Sequence, residues 1–215
     1  MKKHFKRILL ILLLFIFILQ TTSVGATMGN KGVFLYSGDY FSDDRIFVDK
    51  LSMYFRLSGH STLTENRPKV IYGMQQHMKN SEPLYISCHG RHEGIVMVLD
   101  TGSSSVGAVF GAADVPIGMD CKLVYLSVCY GSKSNISTGK NLCGTFISNG
   151  YKAAVGYDKS VSVENSRIYE EAFYRYLSRG ESIYGAKIAT EKELGDSCKE
   201  IIDSADYFGN LGLVP

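Results

Sequence analysis

Two short apolar runs in this sequence each end in a side chain that can do chemistry, with a glycine close behind. The first covers residues 84–88 and leads into His89 and Gly90, and the second covers residues 123–128 and leads into Cys129. A thiol beside an imidazole can give its proton to the ring, and the resulting thiolate is a strong nucleophile. The residue types therefore indicate nucleophilic catalysis by a Cys-His pair, provided that the fold brings the two run ends together.

Short apolar runs bounded by glycine are typical of buried strands in a parallel sheet. Neighbouring parallel strands lie about 4.8 Å apart, and sites in open α/β sheets form at the carboxyl ends of the strands. If the two runs are neighbouring strands, His89 and Cys129 project from adjacent strand ends into one cleft. Strand-like and helix-like segments alternate along the chain, which predicts an α/β fold, a three-layer sandwich with a mostly parallel central sheet.

The expected elements follow from apolar periodicity and from turn residues. Strands are expected at residues 31–37, 61–63, 84–88, 122–128 and 152–157, with a closing strand within 207–214 and a hairpin or lid built on 94–100. Helices are expected at residues 43–57, 68–78, 142–147, 164–177 and 182–194. The segment 109–118 is ambiguous, with a short helix as one interpretation.

The N-terminus has the pattern of an export signal. A basic segment, residues 1–7, precedes an apolar run, residues 8–19, and a small-residue cleavage site with Val24 and Ala26 at its key positions. The apolar run is shorter than the roughly 20 residues of a spanning helix, although an uncleaved membrane anchor stays as the alternative. We expect residues 1–26 to be a signal peptide, residues 27–215 to form one domain, and the protein to be secreted or extracytoplasmic, without stable membrane association.

Charge and cysteine content narrow the function classes. The segment 1–26 holds four basic residues and no acid, so its removal turns the formal net charge of +2 into a small negative one. A mildly acidic domain of about 190 residues has no electrostatic footprint for nucleic acid. The odd number of cysteines, 5, leaves at least one free thiol in an exported protein. Cys129 is our candidate, whereas Cys88 precedes His89 by one residue and should point to the opposite face, into the core.

The sequence gives weaker support to a different histidine, to a zinc site and to a phosphate-binding loop. His92 competes with His89, but it lies in a loop without a strand to fix it. A zinc site from Cys88, His89 and His92, completed by Cys129 or Cys121, lacks the usual paired ligand spacing. A phosphate-binding loop at residues 131–134 fails because the pattern requires glycine directly before the lysine. The sequence therefore predicts no metal and no cofactor, and it leaves the oligomeric state unknown.

The expected reaction is acyl transfer to the thiolate. His89 takes the thiol proton, the sulfur attacks a peptide carbonyl, and the backbone amides of Gly90 and Cys129 form the oxyanion hole. The pattern of His-Gly after one strand and cysteine after a later one resembles the caspase-like fold of cysteine peptidases, which includes caspases, clostripain, gingipains and CHAT domains. The likeness to CHAT-type sequences continues through residues 142–150, 153–157 and 173–177. This resemblance implies a cysteine endopeptidase with a Cys-His dyad and a preference for the residue before the scissile bond (P1).

The P1 preference and the activity itself leave alternatives open. Asp158 follows a predicted strand and would suit a Lys or Arg side chain at P1, although a solvated turn aspartate is the simpler interpretation. Glu93 and Asp100 are weaker candidates. The main rival function is a catalytically inactive caspase-like domain that binds a peptide or protein partner.

Overall fold

The computed structural model describes residues 31–36, 44–66, 75, 78–79, 81–91, 94–100, 105–117, 121–134 and 139–215. The expected signal segment and most of the expected helix at 68–78 lie outside these residues. None of the helices among the described residues has the length and apolarity needed to cross a membrane.

Nine strands are described. They are β1 (Lys31–Tyr36), β2 (Ser61–Asn66), β3 (Ser81–Ser87), β4 (His89–Arg91), β5 (Gly94–Asp100), β6 (Ser105–Phe110), β7 (Val124–Ser127), β8 (Ala153–Tyr157) and β9 (Ala205–Gly209). Six of them form the central sheet in the order β2-β1-β3-β7-β8-β9. The first five are mutually parallel and β9 closes one edge antiparallel to β8. The predicted mostly parallel sheet is confirmed.

The described helices are α1 (Asp44–Leu57), α2 (Leu142–Ser148), α3 (Val163–Leu177), α4 (Ile183–Leu194) and α5 (Lys199–Ile202). The serines before α3 and α4 act as N-caps: Ser162 Oγ accepts from the amide of Asn165, and Ser182 Oγ accepts from that of Gly185. The helices predicted at 43–57, 142–147, 164–177 and 182–194 are therefore confirmed to within a residue or two.

The period of two along the strands divides the core between the two faces of the sheet. Tyr85 and Tyr125 pack on one face against α1, α3 and α4, and Ile86 and Leu126 pack on the other face, against the α2 side. Helices thus cover the sheet on both faces, which makes the fold a three-layer α/β sandwich.

A second sheet of three antiparallel strands, β4-β5-β6, lies next to the end of β3. The chain leaves β3 at Ser87, passes through Cys88 and enters β4 at His89. The strand expected at 94–100 is confirmed as β5, while the ambiguous segment 109–118 divides into the end of β6 and a 3₁₀ turn at Ala112–Asp114. A small separate sheet therefore carries the histidine.

Candidate active site

His89 and Cys129 follow the ends of two neighbouring strands. Strands β3 and β7 pair in parallel with Ser87 opposite Ser127, so each of the two reactive residues comes two positions after a paired serine. Both line one cavity of about 270 Å³ at the carboxyl end of the sheet. The predicted adjacency of the two strands is confirmed, and the geometry brings the imidazole and the thiol to the same cleft.

The backbones of Gly90 and Cys129 are in direct contact. A Cβ atom at residue 90 would lie 1.6 Å from the carbonyl oxygen of Cys129 and 2.9 Å from its amide nitrogen. No side chain fits at such a distance, so only glycine permits this approach. The glycine after the histidine therefore lets the second sheet dock on the cysteine turn.

Hydrogen bonds hold the turn that follows Cys129. Tyr130 has a φ of 63°, a left-handed conformation that is uncommon outside glycine, and its amide donates to the carbonyl of Lys159 over 3.2 Å. The amide of Ser132 donates to the carbonyl of Tyr157 over 3.1 Å, and the Ser132 hydroxyl donates to Asp206 Oδ2 over 2.8 Å. These bonds tie the cysteine turn to β8, to β9 and to the segment between β8 and α3.

Ser160 lies beside the candidate nucleophile. Its Oγ is 3.6 Å from Cys129 Sγ, within hydrogen-bonding range for sulfur, and it lines the same cavity. Sequence patterns did not single out Ser160, because it lies in an irregular segment 31 residues after Cys129.

The cysteines differ sharply in their surroundings, and all five are free thiols. Burial raises the pKa of Cys121 to about 12 and raises the pKa values of Cys88 and Cys143 well above the ordinary range. Cys198 is buried, with 1% of its surface exposed. Cys88 packs against the core as predicted, although it also reaches the cavity wall. Cys129 is partly exposed and lines the cavity.

The remaining wall of the cavity is polar at several points and carries one guanidinium. Four serines contribute to it: Ser87, Ser127, Ser160 and Ser166. Arg167, on α3, also lines it, with its guanidinium carbon 5.4 Å from the ring centroid of Phe47 on the same wall. Stacking of this kind restrains a guanidinium without removing its charge.

Glu170 lies directly behind the wall, and sequence reasoning missed it. Its side chain is 0% exposed and accepts hydrogen bonds from Ser127 Oγ over 2.6 Å, from Tyr85 over 2.7 Å and from Tyr157 over 2.9 Å. Burial raises the pKa of this carboxyl from 4.5 to about 7, against the opposing effect of these hydrogen bonds. A signal was available: Glu170 lies three and four residues before Phe173 and Tyr174, on the apolar face of α3.

Asp158, the candidate acid for the P1 side chain, does not line this cavity. It is exposed, and its amide donates to the carbonyl of Ser204. His92 and Glu93 lie outside the described residues, as does the side chain of Asp100. Within the described part of the chain, no group of three or more His, Cys, Asp or Glu residues is arranged to hold a metal ion.

Comparisons with known proteins give the fold and no closer relationship. The structure is similar to the Arg-specific cysteine proteinase gingipain R, with a TM-score of 0.62 and 8% sequence identity over 86% of this chain and 47% of that one. It is similar in the same way to the complex of pro- and mature domains of RgpB from Porphyromonas gingivalis, with a TM-score of 0.61 and 9% identity over 85% of this chain and 48% of that one. No protein-family model matches the sequence, and no curated protein does.

These similarities confirm the caspase-like fold, the fold of a group of cysteine peptidases. The chain spans about half the length of the solved structures that it matches.

Proposed function

We propose that this protein is a cysteine endopeptidase in which Cys129 is the nucleophile and His89 is the general base and acid. The observation that carries the proposal is the contact of Gly90 with the backbone of Cys129, because it joins the two reactive residues at one cleft. The caspase-like fold supports the same assignment at the level of the fold.

The reaction proceeds through two tetrahedral states. His89 takes the proton of the Cys129 thiol, and the thiolate attacks the carbonyl carbon of the scissile bond to form a C–S bond. The amides of Gly90 and Cys129 donate to the oxyanion. As the C–N bond breaks, His89 gives its proton to the leaving amine. Water, deprotonated by His89, then attacks the thioester, and the sulfur departs and regains its proton as the carboxylic acid product leaves.

The cavity beside Cys129 is the place for the P1 side chain, and its charge favours an acidic residue there. Arg167 is the cation on the α3 side of the wall, and none of the described residues that line the cavity is an aspartate or a glutamate. Glu170 lies behind the wall, where its carboxylate accepts from three hydroxyl groups and also interacts electrostatically with Arg167. We therefore propose Asp or Glu at P1 and do not assign Asp158 to substrate binding.

Two further proposals concern location and partners. The N-terminal pattern of residues 1–26 supports export from the cytoplasm. The substrate is a peptide or protein that presents its chain across the cleft between the two sheets.

Alkylation of the full-length chain with iodoacetamide near neutral pH, followed by peptide mass mapping, tests the proposal. One thiol, Cys129, should react fast, and a peptide aldehyde with an acidic P1 residue should protect it. Cys129→Ala should abolish the fast reaction, and the matched Cys198→Ala, at a buried thiol away from the cavity, should keep it. Uniformly slow modification of all five thiols would refute the proposal and favour a non-catalytic, partner-binding domain.

A further inference from the structure

We infer that Ser160 is a third member of the site, which stabilises the thiolate of Cys129 by donating a hydrogen bond to its sulfur. This inference rests on the proposed nucleophilic role of Cys129. The primary observation is the distance of 3.6 Å between Ser160 Oγ and Cys129 Sγ.

A backbone hydrogen bond holds the two chain segments that make this contact next to each other. The carbonyl of Lys159, the residue before Ser160, accepts from the amide of Tyr130, the residue after Cys129. The side chains of Ser160 and Cys129 therefore extend from two chain segments that this hydrogen bond joins. On the other side of Ser160, the N-cap Ser162 fixes the start of α3, so the segment between β8 and α3 is held at both ends.

Which of the two atoms donates the hydrogen bond depends on whether the sulfur is protonated. While Cys129 is a thiol, either atom can be the donor. Once the proton has left, the sulfur can only accept, so Ser160 must donate. Hydrogen bonds to a charged acceptor are roughly twice as strong as neutral ones, and therefore the serine favours the thiolate over the thiol.

Two other serines of the wall have their hydroxyl groups engaged elsewhere. The Ser127 hydroxyl donates to Glu170 over 2.6 Å and the Ser166 hydroxyl donates to the carbonyl of Val163 over 3.0 Å. Both protons are committed within the protein. Ser160, in contrast, has its hydroxyl oxygen 3.6 Å from the sulfur of Cys129.

The test is the pH dependence of alkylation at Cys129 in the full-length chain, measured by mass spectrometry with iodoacetamide. Ser160→Ala should move the midpoint of the profile upward by about half to one pH unit, since the lost stabilisation corresponds to the difference between a charged and a neutral hydrogen bond. Ser160→Thr, which keeps the hydroxyl, should restore the wild-type midpoint. Ser166→Ala, a change to another serine of the same wall, should leave the midpoint in place whatever it does to peptide hydrolysis.

The outcomes separate this inference from the proposed function. An unchanged midpoint in Ser160→Ala, with peptide hydrolysis intact in the wild type, overturns the role of Ser160 and leaves the peptidase standing. A shifted midpoint in a protein that hydrolyses no peptide supports the contact and refutes the peptidase. A shift of equal size in Ser160→Thr would also contradict the inference, because it would show that packing and not the hydroxyl sets the midpoint.

Discussion

The α-carbon of Gly90 rests against the carbonyl group of Cys129, so that a methyl group on residue 90 would lie 1.6 Å from that oxygen. The clash is with backbone, which cannot rotate away as a side chain can. Strand β4, which carries His89, and the turn that begins at Cys129 are therefore in contact through their backbones.

Gly90→Ala should move the strand that carries His89 away from the turn that carries Cys129. We expect the substitution to cost about 1–3 kcal/mol in the free energy of unfolding, as forced overpacking does, and to abolish peptide hydrolysis because His89 moves away from the thiol. Thermal denaturation and hydrolysis assays measure the two effects. Gly212→Ala is the control, since its nearest contact would be Asn210 Oδ1 at 3.4 Å. Equal behaviour of the two variants would contradict the close approach.

Glu170 should make stability depend on pH. Its folded-state pKa of about 7 lies above the ordinary 4.5, so between these values the native state binds more protons than the unfolded state and stability falls as pH rises. The slope should approach about 1.4 kcal/mol per pH unit in that window.

Glu170→Gln isolates this contribution, because glutamine is neutral throughout. Urea denaturation at pH 4 to 8 measures the unfolding free energy of both proteins. The wild type should lose stability relative to the variant as pH rises to about 7, and the difference should then level off. Parallel stability curves for the two proteins would show that the carboxyl does not titrate as its burial indicates.

Arg167 should set the P1 preference. In Arg167→Gln, the ratio of kcat/KM for a P1-Glu substrate to that for the P1-Gln analogue should fall by about tenfold, which corresponds to about 1.4 kcal/mol. Taking the ratio within one protein removes any general effect of the lost stacking on Phe47. An unchanged ratio would mean that the guanidinium does not meet the substrate.

The bond from Ser132 to Asp206 should anchor the cysteine turn to the sheet edge. A double-mutant cycle of Ser132→Ala and Asp206→Ala should give a coupling of about 1.5 kcal/mol in unfolding free energy, as expected for one hydrogen bond to a carboxylate at a partly buried position. Strictly additive losses would indicate that the two side chains do not interact in solution.

The sequence carries enough information to predict the central sheet and the placement of His89 and Cys129 on one cavity. Both strands have apolar runs of strand length, and parallel strands direct their carboxyl ends to the same edge. By contrast, β4 has only three residues, too few for a periodic signal, so the change of sheet at His89 could not be predicted.

The rest of the site depends on contacts between distant segments. Ser160 reaches the cavity from the segment between β8 and α3, and Arg167 reaches it from α3 itself; no local pattern encodes either placement. Its position directly after a strand predicts Asp158 at the site, but Tyr157 points towards Glu170 on the α3 face, and successive residues of a strand point to opposite faces. Glu170 was detectable in principle from the apolar face of its helix.

The most direct test of the paired site is hydrolysis of a P1-varied fluorogenic peptide library by the wild type, Cys129→Ala, His89→Ala and the double variant. Because residues that act as a unit are not additive, each single substitution should lower kcat/KM by about a thousandfold or more and the double substitution should lower it little further. Hydrolysis that survives Cys129→Ala undiminished would contradict the account.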